Sequence, residues 1–214
     1  MASSGKMSVL DDFLLQREVR AGDIINKLKH SEKLWINLCN NLSLNEEKEI
    51  KDTRRFAENL KYVHPGLDSK EYMIHPIRVG SLGGLFSSSN KVNIAKIGLL
   101  HNVYEVGEVE PTTIIEKFGL DTDLALKTLK VDRARQSNHE YLSNYYKAIE
   151  QLQGGIGIIK VVDKIDNLYT INLTASHETR MNYLIEIEEF VVPLCEKVSP
   201  QLTPILLDII RQVS

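Results

Sequence analysis

Ile94-Ala95-Lys96-Ile97-Gly98-Leu99-Leu100-His101-Asn102-Val103-Tyr104-Glu105 and Ile158-Ile159-Lys160-Val161-Val162-Asp163-Lys164-Ile165-Asp166-Asn167-Leu168 are the two stretches on which the fold turns. Neither alternates apolar with polar residues as a half-buried strand would. Read at 3.6 residues per turn, each is a helix rich enough in apolar side chains to be core. Each also carries polar groups that a core helix has to account for. His101 and Glu105 lie four residues apart, on one helical face, and Asp163 and Asn167 stand one turn apart among apolar neighbours.

The helical period continues in both directions, so the expected class is all-α, a bundle of about ten helices. Leu10 to Leu28 carries a loose apolar stripe interrupted by Gly22. Ser31, ahead of Leu34, Trp35, Leu38 and Leu42, reads as the cap of a further helix, and Ser43 with Glu46 as the capping box of the next. That helix is expected to run to about His64, where Pro65-Gly66 stops it. A loop then reaches about Glu71. Further helices are expected near 72–87, 91–106, 111–118, 121–131, 138–152, 156–171, 178–197 and 202–213, with turns at Ser87-Ser88-Ser89-Asn90, Gly107, Gly119, Gly154-Gly155 and Ser199-Pro200. Pro111 suits a first helical turn, and Thr112-Thr113 with Glu116 reads as a cap. The polar run Arg133 to His139 reads as a mobile surface loop. The expected organisation is one folding unit, with residues 1–50 a helical extension packed on a main domain of residues 51–214.

The 214 residues, 43% apolar, suffice for a substantial core. The formal charge is −3, from 26 Lys plus Arg against 29 Asp plus Glu, and no basic stripe interleaves with aromatics, so a nucleic-acid partner is not expected. Cys39 and Cys195 have no metal-type spacing and suggest a reducing, cytoplasmic setting. No apolar run approaches the roughly 18 residues of a membrane span, and the N-terminus lacks the apolar core of a signal peptide. No membrane partner is therefore expected, and nothing in the sequence argues against a homo-oligomer.

Acidic groups inside an apolar helix need a partner or a metal, because an unpaired buried carboxylate costs several kcal/mol. His64, at an expected helix end, completes an N/O ligand set with His101 and Asp163. Each residue also has a plain structural reading: a helix-borne histidine is commonly a hydrogen-bonded core residue, and Asp163 has Lys160 and Lys164 within one turn. Gly154-Gly155-Ile156-Gly157 follows no strand and reads as an inter-helix turn. Tyr141, Tyr145 and Tyr146 share one helix, where Tyr145 is a candidate to stack on a nucleotide base and packing is the alternative. His30, His139 and His177 read as surface residues.

Several motifs occur together in one order: Arg55-Phe56-Ala57 through Tyr62-Val63-His64, Tyr72-Met73-Ile74-His75-Pro76-Ile77-Arg78-Val79, Gly98 to Glu105, Ile159 to Leu168, then Thr179-Arg180 and Val192 to Val198. This set resembles the hydrolase half of the RelA/SpoT family, HD-type metal-dependent phosphohydrolases that act on guanosine alarmones. The resemblance implies a divalent metal, typically manganese, held by His64, His101, the residue at Asn102, and Asp163. It implies Glu105 as a catalytic carboxylate, Arg55 near the phosphates and Asn167 at the sugar, with His75-Pro76 read as structural. The metal would activate a water for attack on the 3′-pyrophosphate of a phosphorylated nucleotide, the expected partner.

Three departures stand out. The family's ligand aspartate is Asn102, which removes a negative charge from the ligand set, and hard divalent ions favour anionic oxygen. Val106 occupies the place of an acidic partner to Glu105 and can move no proton. The loop between His64 and His75 is about three residues shorter than the family's and retains only Lys70 as a cation. A phosphohydrolase with altered catalytic residues and a degenerate domain that binds nucleotide or protein without turnover both fit this pattern.

Overall fold

The structure is a computed structural model describing residues 24–63, 69–174 and 176–213. Among these residues the elements are α1 (Ile24–Cys39), α2 (Leu44–Glu58), α3 (Ser69–Phe86), α4 (Lys91–Leu100), α5 (Val103–Val106), α6 (Pro111–Phe118), α7 (Leu120–Leu129), a 3-10 turn (Arg133–Arg135), α8 (His139–Glu150), α9 (Gly157–Thr174), α10 (His177–Glu186), a π turn (Ile187–Val191), α11 (Val192–Val198) and α12 (Thr203–Val213). The chain is all-α, as the periodicity predicts. Numbering reaches twelve because α5 is one turn long and the π turn divides one continuous helical run into α10 and α11.

Local chemistry accounts for most ends. Ser43 and Glu46 form the expected capping box, the Ser43 N–H donating to Glu46 Oε2 at 2.8 Å. Pro111 opens α6, and the turn before α9 places Gly154 and Gly155 at φ 69° and 75°, where a side chain would strain the backbone. α12 turns Ile205, Leu206, Ile209, Ile210 and Val213 inward, and it packs against α9.

Five local expectations are corrected. Ser31 caps nothing: it is buried inside α1, since a mid-helix serine costs only a few tenths of a kcal/mol, less than the burial of Leu34, Trp35 and Leu38 returns. α2 stops at Glu58 rather than near His64, because the next residues find a partner across the fold. The Val63 N–H donates to Val106 O at 2.8 Å, the Glu108 N–H to Lys61 O at 3.0 Å, and Tyr62 bridges Gly107 in antiparallel fashion. The expected helix 91–106 breaks at Asn102 (φ −105°, ψ 7°), so Glu105 sits on the separate turn α5. The cap of α6 is Glu110 without a side-chain bond, not Thr112-Thr113, because proline at the first position moves the helix start ahead of them. His30, expected at the surface, is buried. Of the expected extension 1–50, residues 1–23 lie outside the described residues, and the remainder forms α1, packed on α3, and the start of α2.

α3, α4 and α9 make the centre of the bundle, and α3 and α4 meet through glycine. A Cβ on Gly98 would lie 2.7 Å from Gly80 Cα, and one on Gly80 would lie 2.9 Å from Ala95 O. Both obstacles are backbone, so neither yields by a rotamer change. Gly98→Ala is expected to destabilise the chain by about 1–3 kcal/mol, the usual penalty of overpacking, measured as a lower denaturation midpoint with an unchanged m-value.

Candidate metal centre

Three helices deliver one side chain each to a common point. His75 comes from the second turn of α3, His101 from the residue that caps α4, and Asp163 from the second turn of α9. His75 Nε2 lies 3.2 Å from His101 Nε2 and 3.2 Å from Asp163 Oδ1, and His101 Nε2 lies 3.7 Å from the same oxygen. Ligand atoms about 2.0–2.2 Å from a single ion stand roughly 3.0–3.6 Å from one another, so this spacing fits a divalent ion. The far ring nitrogens fit as well. His101 Nδ1 donates to Gly98 O at 2.7 Å and His75 Nδ1 faces Asp166 Oδ2 at 2.8 Å. With both Nδ1 atoms protonated, two Nε2 lone pairs converge beside a carboxylate, an arrangement stabilised by a cation or by one added proton.

The chain around the trio compensates its charge. Lys160, one turn before Asp163 and buried, lies 3.0 Å from Asp163 Oδ2, and the Asn167 amide donates to Asp163 Oδ1 at 2.9 Å. Burial pushes the Asp163 carboxyl up, but Lys160 and the two histidines outweigh it and hold the group well below the usual carboxylate range. Burial likewise pulls His75 down, and its bonds to Asp163 and Asp166 reverse this, so that its imidazole is pushed up to about 9. Asp166 in turn receives Arg78 in a bidentate pair, Nε to Oδ1 at 2.8 Å and Nη2 to Oδ2 at 2.7 Å.

Of the residues expected to act, His101 and Asp163 come together, while His64 lies outside the described residues. His75, read from the sequence as structural, belongs instead to the trio. The signal was present: a histidine in the apolar run Tyr72-Met73-Ile74 invites the question raised by His101. Arg78 and Asp166 carry the same signal, each a charged residue three positions along a buried helix from a member of the trio. Asn102, next to His101, is half-buried. Glu105 has both oxygens engaged, Oε1 by the Val131 N–H at 3.2 Å and Oε2 by Arg133 at 3.1 Å. Arg55 is exposed and bonded to Asp52, and Lys70 is exposed. Tyr145 is buried, its hydroxyl donating to Leu129 O and its ring 5.7 Å beneath the Lys160 ammonium, a packing position.

The segment expected to be a mobile loop is tied at Arg133, at Gln136 and at His139, whose Nε2 lies 3.2 Å from Glu189 Oε2. Arg133 holds Glu105, and the Gln136 amide donates to Glu186 Oε2 at 3.0 Å. Glu186 is itself buried, 2.7 Å from Lys164 Nζ, and it accepts from the Tyr146 hydroxyl at 2.6 Å.

The fold is similar to that of a solved structure described as a metazoan ortholog of SpoT that hydrolyzes ppGpp and plays a role in starvation responses. The two share 19% identity over 80% of this chain and 96% of that one, with a TM-score of 0.60. The fold is that of an HD-type helical domain. No protein-family profile and no curated protein matches the sequence. Among the described residues no helix is long and apolar enough to cross a membrane.

The raised pKa of His75 has a consequence for the metal-free chain. A group whose folded value lies above its unfolded value of about 6.5 contributes stability that is complete below about pH 6.5 and is lost as pH rises through about 9. In chelator, the unfolding free energy is expected to fall across that window by at most about 3 kcal/mol. His75→Gln should flatten the slope, and an equal slope in both proteins would refute the assignment.

Proposed function

We propose that the chain is a metal-dependent phosphohydrolase that acts on a phosphorylated nucleotide, a guanosine alarmone or a close relative, with manganese as the ion. The observation that carries the reading is the convergence of His75 Nε2, His101 Nε2 and Asp163 Oδ1 within an HD-type fold. The neighbour's reported hydrolysis of ppGpp supports the substrate class. When bound, such an ion lowers the pKa of a water and polarises a phosphoryl oxygen.

The chain's own residues supply the rest. Lys160 neutralises the outer oxygen of Asp163 and leaves Oδ1 for the ion, and Asn102, next to His101 in the chain, would add a neutral amide oxygen to the ligands. Glu105 is the proton acceptor. Its Oε1 stays anchored on the Val131 N–H, so Oε2 becomes the working atom once the exposed Arg133 side chain swings away. Arg55 and Lys70 are the cations assigned to the phosphates. Asn167 reaches the sugar from the position in which it supports Asp163, and Tyr145 forms the floor beneath Lys160 rather than a stacking surface.

The test is release of pyrophosphate or phosphate from a guanosine alarmone by the purified full chain with manganese. His101→Ala and Asp163→Ala should each lower the rate by more than about 100-fold, beyond the effect usual for groups outside the ligand shell. An unaltered chain that releases neither product from a nucleotide panel refutes the reading. A second reading, nucleotide binding without turnover, is favoured by Val106 and by the engagement of both Glu105 oxygens. It predicts heat of nucleotide binding in calorimetry with no product, and turnover appearing on combined Asn102→Asp and Val106→Asp substitution.

A further inference from the structure

Two pairs of residues, each spaced three apart, face one another across α3 and α9: His75 and Arg78 on the first, Asp163 and Asp166 on the second. His75 lies between the carboxylates, its Nε2 3.2 Å from Asp163 and its Nδ1 2.8 Å from Asp166. Arg78 closes the figure by gripping Asp166 with two bonds, and the side chains of Arg78 and Asp166 are only 9% and 1% exposed. A buried bidentate pair of this kind fixes the plane of its carboxylate. The remaining lone pair of Asp166 Oδ2 is thereby aimed at His75 Nδ1.

The two imidazoles of the trio differ in this respect. Behind His101 stands a neutral carbonyl, Gly98 O. Behind His75 stands an anion. A carboxylate on the far nitrogen fixes the tautomer that presents Nε2 as a lone pair, and it makes that nitrogen a stronger donor than a carbonyl does. Asp163 is the single carboxylate among the trio, and the neighbouring amide of Asn102 adds no negative charge.

We infer that Arg78 and Asp166 form a positioning pair that sets the tautomer and donor strength of His75, and that Asp166 supplies through His75 part of the negative charge that Asn102 does not. The inference rests on the metal-site reading above and assigns a role to residues outside the ligand shell.

The test measures binding of Mn²⁺ alone to the full chain by calorimetry or by the electron paramagnetic resonance of the free ion. Asp166→Asn should weaken binding by about 10- to 100-fold, the range found when a partner behind a ligating histidine is removed. The same substitution made together with Asn102→Asp should weaken it by a smaller factor, because the restored carboxylate carries the charge. A role confined to structure would instead lower the melting temperature in chelator and leave the affinity of the folded protein within twofold, and that result overturns the inference. The imidazole ¹⁵N spectrum of the zinc-loaded chain gives an independent readout. His75 should be Nδ1-protonated and Nε2-bound in the unaltered chain, and an Nδ1-bound His75 refutes the tautomer assignment. If Asp166→Asn does not fold, Arg78→Gln carries the same expectation with a smaller loss. An unaltered chain that binds no Mn²⁺ removes the metal reading together with this one, whereas binding that is indifferent to Asp166 removes this one alone.

Discussion

Backbone meets backbone where α3 crosses α4, and the geometry of the candidate metal centre is set by that contact. Gly98 approaches Gly80 so closely that neither accepts a methyl group without a shift of the backbone. Gly98 also supplies the carbonyl that orients His101, three residues on at the end of α4. His75 stands five residues before Gly80 on the facing helix. Interaxial distances follow the side chains at the crossing, so a larger residue at either glycine would drive the two imidazoles apart. The 3.2 Å separation of their Nε2 atoms is thus a property of the packing before it is a property of any ligand.

A helix as buried as α9 can carry Lys160, Asp163, Lys164 and Asp166 because each meets an opposite charge. Lys160 meets Asp163 within the helix, Asp166 meets Arg78 on α3, and Lys164 meets Glu186 at the end of α10. Left alone, any of these ions would cost several kcal/mol. Paired, they tie α9 to its neighbours with directional bonds that an apolar interface lacks. The same pairing limits what the centre can exchange. His75 is the one member of the trio flanked by two carboxylates, so a proton on it and a metal beside it compete for the same stabilisation.

The class of the fold was legible because it rests on periodicity, which is local. Caps such as Ser43 with Glu46 and turns such as Gly154-Gly155 were legible for the same reason. What failed were positions where distant residues compete with local preference. Leu60 to Val63 leaves the helix for backbone partners at 106–108, more than forty residues away, and Ser31 is overridden by the stripe it sits in. At the centre, His101 and Asp163 could be picked out as polar residues in apolar helices. His75 satisfied the same criterion, but its neighbour Pro76 drew the reading toward structure. Arg78 and Asp166 could not be paired from sequence at all, because eighty-eight positions separate them and only the α3–α9 crossing brings them together.

The residues that depart from the family resemblance are distributed unevenly over this architecture, and the distribution has a physical reason. His75, His101 and Asp163 are fixed by three helices that the core cannot release. Asn102 and Val106 lie in the break after α4 and on the one-turn α5, where the structural demand falls on the backbone: Val106 O accepts the Val63 N–H, whatever side chain it carries. A valine there keeps that bond and packs its half-buried side chain against the core, which an ionised carboxylate could not do without a partner. Glu105, one residue earlier, keeps its charge because the Val131 N–H and Arg133 compensate it. The geometry of the trio is therefore coupled to folding and the side chains at 102 and 106 are not, so residues in the break after α4 can change while His75, His101 and Asp163 stay in place.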